Sequence, residues 1–272
     1  MARRLIHAAD RRVTQTLASG TIVRQDFGTA VRVVLFETGD QAWPIATHGG
    51  TLFVAIYRGR PYGLTCRHVF KSFDWGQLIV SNLKDCGTHQ ADPRSIAYPS
   101  NPTGDAVDTD MLDIAVLQFG AEIGPGFFRD SGYIIDPKTV TTSKVGDQLH
   151  VSGALKSPSE ITETEVAPKF CLLEMVDDTP DSNDPTLRSA FGMFERPQFQ
   201  DVVGLSGSPV FNVTQSALCG MVVRGAMDKD NCRLWYVDMF DICKLLAAVH
   251  DGEESTFYHK TVTKLVRVPL AR

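Results

Sequence analysis

Gly204-Leu205-Ser206-Gly207-Ser208-Pro209-Val210-Phe211 sets a serine among glycines and small residues, directly before an apolar β-type run. A serine hydroxyl is a weak nucleophile until a base takes its proton, and a histidine with near-neutral pKa suits that task. Upstream, Tyr62-Gly63-Leu64-Thr65-Cys66-Arg67-His68-Val69-Phe70 reads as a strand that ends in a histidine. Between the two, Asp110-Met111-Leu112-Asp113-Ile114-Ala115-Val116-Leu117 places an acid immediately before an apolar strand. An aspartate beside a catalytic histidine fixes its tautomer and stabilises the imidazolium that forms. In chain order the three segments give His68, Asp113 and Ser206. Gly204 lets the backbone turn so that the Gly204 and Ser206 amides converge on one point, as donors to an oxyanion do.

Outward from these segments the chain is a series of short β-rich runs. They include Thr29–Phe36, Thr51–Tyr57, Ile114–Phe119, Gln148–Ser152, Phe170–Val176 and Ala217–Val223, broken at intervals by Gly, Pro, Asn and Asp. Many short strands with turn signals between them predict an all-β sandwich or barrel. Helical signals are confined to the ends. Residues 2–18 are weakly amphipathic, and Met239–Val249 spaces Ile242, Leu245, Leu246 and Val249 by threes and fours. Ser100–Asp110 and Asp177–Thr186 read as polar loops.

Composition excludes several classes. The 272 residues carry 27 Lys+Arg against 32 Asp+Glu, a net charge of −5, with 43% hydrophobic and 22% charged residues. That is an ordinary globular balance, with no basic stripe for a nucleic acid and no apolar run long enough to span a membrane. Charges interrupt the N-terminal apolar stretch too soon for a secretory leader, so a cytoplasmic protein with free thiols at its six cysteines is expected. Cys86 and His89 form a Cys/His pair at a ligand-type spacing, and no second pair at that spacing completes a zinc site. Neither a metal nor a cofactor is expected.

Taken together, the segments resemble the trypsin/chymotrypsin-like serine peptidases, and most closely their disulfide-free, HtrA-like bacterial branch without a PDZ module. Thr65-Cys66-Arg67-His68, Asp113-Ile114-Ala115-Val116-Leu117 and Gly204–Pro209 are similar to that family's three catalytic motifs. Val145-Gly146-Asp147-Gln148-Leu149 followed by Gly153 resembles the opening of its second barrel, and Gly220–Gly225 resembles the strand lining its cleft. The resemblance implies two packed six-stranded antiparallel β-barrels with a C-terminal helix. Residues 1–27 would be an extension and 28–250 the protease domain, with barrels at about 28–125 and 140–238 and the helix at about 239–250. Residues 251–272 would be a tail.

The implied activity is serine endopeptidase chemistry through an acyl-Ser206 intermediate. His68, Asp113 and Ser206 would be catalytic, the Gly204 and Ser206 amides the oxyanion hole, and Val223, Arg224 and Gly225 the edge on which a substrate strand pairs. Gln200, six positions before Ser206, is expected at the base of the first specificity pocket, with Leu234 narrowing its side. That pairing favours a small or medium apolar residue before the scissile bond. If Asp201 turns inward instead, a basic residue is selected, because a buried cation needs a partner. Two positions depart from the family. Leu205 replaces the acid that pairs with a newly cleaved N-terminus in extracellular members, and Ser208 replaces a glycine. Control of a latent enzyme would then come from the N-terminal segment 1–27, from an activating or inhibiting protein partner, or from ordering of 177–200.

Competing readings are weaker. An α/β-hydrolase needs the order Ser, Asp, His and alternating helices, which are missing. Asp108 and Asp110 lack the glycine and distal glutamate of a calcium loop. Asn212-Val213-Thr214 fits a glycosylation pattern but falls in an expected core strand. The alternative to an enzyme is a catalytically silent trypsin-like binding or scaffold module.

Overall fold

The computed structural model describes the chain except residues 1–11, 17–21, 27–28, 40–44, 47–48, 71–73, 82–89, 101–109, 129–131, 162–165, 180–186, 194–201, 229–230, 259–260 and 271–272. In the second half, six antiparallel strands close into a barrel in the order Gln148–Ile161, Val166–Asp177, Arg188–Met193, Asn231–Asp238, Ala217–Asp228, Pro209–Asn212, the last pairing with the first. Leu149 and Val151, Leu173 and Met175, and Cys232, Leu234 and Tyr236 alternate along their strands and fill the interior, as the two-residue period of a strand requires. One end of this barrel is tied by Asp177, whose side chain is fully buried. It accepts hydrogen bonds from Ser143 and from Tyr236 Oη (2.6 Å), and pairs with Arg188 at 3.1 Å. Burial opposes charge on Asp177, but these hydrogen bonds and the guanidinium outweigh it and hold the carboxyl below its ordinary pKa.

The first half is built differently. Strands Thr51–Tyr57, Arg60–Cys66, Ile114–Phe119 and Pro93–Ser100 form the centre of an eight-stranded sheet. Val31–Val33 and the parallel strand Tyr133–Ile135 share the outer side of Thr51–Tyr57. A second, four-stranded sheet holds Ile45–Ala46, Leu35–Glu37, Leu78–Ser81 and Gln90–Ala91. The chain crosses between the two sheets at Val34 and at Asp92, so the two-barrel expectation is met as one closed barrel facing a pair of sheets.

Helix Met239–Asp251 links the halves. Its N-cap Asp238 accepts from the Phe240 amide at 2.8 Å, and Gly252, at φ 79°, ends it. Ile242, Leu245, Leu246 and Val249 are buried in a core shared with the first half, and Tyr62 Oη meets His250 Nδ1 at 2.9 Å. Two expectations are corrected here. Residues 251–272 are not a bare tail. The helix delivers the chain back to the first half, where Thr261–Pro269 pairs with Pro93–Ser100 and Ser255–Tyr258 forms the next strand out. Nor is 12–16 helical. Arg12–Thr16 is a strand paired with Ile22–Asp26, and its β-branched Val13, Thr14 and Thr16 favour an extended chain. Among the described residues no helix is long and apolar enough to cross a membrane.

Candidate active site

Strand Arg60–Cys66 runs out of hydrogen-bonded partners at Cys66 and turns through a short 3-10 segment, Arg67–Val69. Val69 and Phe70 enter the core, which leaves His68 facing outward. Across the ladder Ile114 sits opposite Cys66, so Asp113, one residue earlier on its strand, arrives beside His68. Its Oδ1 accepts the His68 backbone amide at 2.9 Å, and its Oδ2 accepts from His68 Nδ1. A carboxylate only accepts, so Nδ1 carries a proton, and in the neutral imidazole this tautomer leaves the lone pair on Nε2. The side chains of His68 and Asp113 are 44% and 18% exposed, which leaves the imidazole open to a substrate and the acid sheltered.

Ser206 lies in a turn whose shape depends on glycine. Gly204 and Gly207 take φ values of 107° and 93°, and a Cβ on Gly207 would sit 1.9 Å from Thr51 O. Leu205 is buried in the second barrel's core and anchors the turn with an apolar side chain. Among the described residues, neither the Gly204 nor the Ser206 amide has a hydrogen-bond acceptor, although the amides of Leu205, Gly207 and Ser208 are all bonded. Ser206 Oγ donates to Val223 O at 3.3 Å. No hydrogen bond joins Ser206 to His68, but both line one cleft of about 330 Å³.

Thr51, which sequence reasoning missed, joins the two halves at this turn. Its amide donates to Ser206 O at 2.8 Å and its hydroxyl to Gly204 O at 2.7 Å. The same hydroxyl accepts from the Ala154 amide at 2.9 Å, and Thr65 Oγ1 donates to Thr51 O at 2.7 Å. A threonine at the start of an apolar strand carries no sequence signal of such a role, because every partner except Thr65 comes from the second half.

Of the expected substrate-binding residues, Val223, Arg224 and Gly225 line the cleft. Leu234 does not narrow it. Its side chain is fully buried in the barrel core, and its Cδ2 lies 2.6 Å from where a Cβ on Gly225 would be, so it holds that glycine's place from below. Gln200 and Asp201 lie outside the described residues, as do Asp108 and the Cys86/His89 pair. Val202, Val203, Ala226 and Met227 add an apolar wall that the sequence reading did not assign.

None of the five described cysteines forms a disulfide. Burial pushes the Cys232 and Cys243 thiols up to about 12, which removes them as nucleophiles. Ligand-type atoms of Cys66, His68 and Asp113 lie within 4.8 Å of one another, but the Cys66 thiol is fully buried and donates to Val222 O at 3.4 Å. That donation gives it a backbone-capping role beneath the histidine.

No protein-family model and no curated protein matches this sequence. Solved structures do. Human heparin binding protein aligns with a TM-score of 0.53 at 14% identity, covering 83% of this chain and 91% of that one. A scabies mite inactivated protease paralogue, S-I1, aligns with a TM-score of 0.51 at 13% identity, covering 82% and 94%. A mutant of the human protein gives 0.54 at 13% identity, covering 82% and 91%. The shared feature is the trypsin/chymotrypsin-like fold, a mostly β chain with a closed six-stranded barrel and a C-terminal helix. The likeness reaches the fold and stops there, short of the HtrA-like branch.

Proposed function

We propose that this chain is a serine endopeptidase that cleaves protein substrates through an acyl-Ser206 intermediate. His68 Nε2 takes the hydroxyl proton as Ser206 Oγ attacks the scissile carbonyl, then returns it to the leaving amine, and a water repeats the cycle to release the acyl group. Asp113 keeps Nδ1 protonated throughout. The Gly204 and Ser206 amides receive the tetrahedral oxyanion, an effect of about 3 kcal/mol per donor. The observation that carries this reading is the two-point grip of Asp113 on His68, in the same cleft as Ser206, whose own amide and that of Gly204 have no acceptor among the described residues. The apolar wall of Val202, Val203, Ala226 and Met227 supports a small or medium apolar residue before the scissile bond. The five described cysteines, all unbridged, support a reducing, cytoplasmic setting.

One observation favours latency. The Ser206 hydroxyl donates to Val223 O and not to His68, so attack requires it to rotate, and Leu205 removes the charged N-terminal trigger of the extracellular enzymes. The second reading, a catalytically silent binding or scaffold module, draws on the same bond and on a structural neighbour named as an inactivated protease paralogue. Incubating the full chain with unfolded casein, and mapping new termini by mass spectrometry, separates the two. Fragments made by the wild type and absent with Ser206→Ala support the peptidase. Fragments made equally by both overturn it. Without fragments, fluorophosphonate labelling of Ser206 supports a latent enzyme, and its failure leaves the silent module.

A further inference from the structure

The strand that lines the cleft carries an irregularity with a consequence for substrate choice. Pairing between Ala217–Asp228 and Asn231–Asp238 passes from Val222↔Tyr236 to Arg224↔Trp235, skipping Val223. In an unbroken strand residue 224 would share the inward face of Val222. The extra residue shifts the phase, as bulges do. Val222 and Val223 are both buried, while Arg224, Gly225 and Ala226 come out exposed on the cleft. The guanidinium is laid over the Trp235 ring, 4.7 Å from its centroid, which orients it at little further entropic cost. Among the described residues lining the cleft there is no carboxylate. Besides His68, Ser206 and Arg224, the walls are glycine and apolar side chains.

From this geometry, and resting on the peptidase reading, we infer that Arg224 selects substrates with a glutamate or aspartate two positions before the scissile bond. A substrate strand added along 223–225 places the residue of the attacked carbonyl beside Val223 O, which is 3.3 Å from Ser206 Oγ. The preceding residue then lies opposite Arg224, and residues opposite each other in an antiparallel pair share a face. A carboxylate there meets a pre-oriented guanidinium beside an apolar wall, where the attraction is stronger than in open water. The chain's net charge of −5 works against binding a polyanion, so the preference is for one acidic side chain at one position.

The test measures binding on the full-length Ser206→Ala protein, so that it stands whether or not the wild type cleaves. Two fluorescein-labelled peptides, Ala-Ala-Ala-Glu-Val-Ser-Ala and the same with Gln for Glu, are titrated to millimolar protein and followed by anisotropy. The glutamate peptide binds about tenfold tighter at low salt, and the gap narrows as salt rises. Adding Arg224→Gln removes the difference, and Arg224→Lys restores part of it. Equal affinities for the two peptides, no binding of either, or a gap that survives Arg224→Gln overturns the assignment. Failure of the casein and labelling experiments, with this selectivity intact, would instead reject the peptidase reading alone.

Discussion

The two halves hold their parts of the site by different means. In the first half, Asp113 sits one residue and His68 two residues beyond the paired strand ends Ile114 and Cys66, and the ladder between Arg60–Cys66 and Ile114–Phe119 sets their separation directly. In the second, Ser206 belongs to no strand. Its turn is shaped by Gly204 and Gly207, anchored by Leu205, and pinned from outside by Thr51. An acid–base pair needs a fixed distance, which a sheet supplies. An oxyanion site needs bare amides, which a sheet would consume, so it has to be built in a turn and held from a neighbour. The halves are also closed by different means. The second is a closed barrel tied by a buried ionic network, and the first is two sheets completed by the C-terminal hairpin.

The largest effect on activity comes from the sheet-held pair. Asp113→Asn should lower kcat by about 10⁴-fold in any assay that detects turnover, since the imidazole then adopts the wrong tautomer. A loss under tenfold would mean the ladder does not set the tautomer. On the barrel side the largest effect is on stability. Asp177→Asn leaves Arg188 without its buried counter-charge and should cost about 3 kcal/mol in denaturant unfolding, with the fold retained; no change would show that the tie is incidental.

The apolar strand runs, the closing helix and the three candidate site segments were legible because each is local. Thr51–Tyr57 and Ile114–Phe119 are strands with the bounds of their continuous β-rich runs. What escaped was set by distant partners. Thr261–Pro269 falls in the stretch expected to be a tail, because nothing local says that it joins Pro93–Ser100. The bulge at Val223, which moves Arg224 to the surface and leaves Leu234 beneath Gly225, depends on pairing register. Thr51 is silent in sequence for the same reason.

Thr51→Val tests the join between the halves. It removes the hydroxyl that holds Gly204 O and leaves the Ala154 amide unpaired, so kcat should fall about 10²-fold with KM little changed, and Thr51→Ser should recover most of it. A loss of stability without a kcat effect would make Thr51 structural only. The smallest effect is in pH. The folded pKa of Asp177 lies below the ordinary 3.8, so its contribution is complete above that value and lost as pH falls through the folded pKa. Acid melting curves should show this decline in the wild type and not in Asp177→Asn.

The central claim is that His68, held by the first half, activates Ser206, held by the second. The rate of fluorophosphonate labelling, mapped to the modified residue in the full-length wild type and in His68→Ala, tests it most directly. The account predicts adduct on Ser206 in the wild type and a rate at least ~10³-fold lower in His68→Ala. Equal rates in the two proteins, or an adduct on another residue, would contradict it.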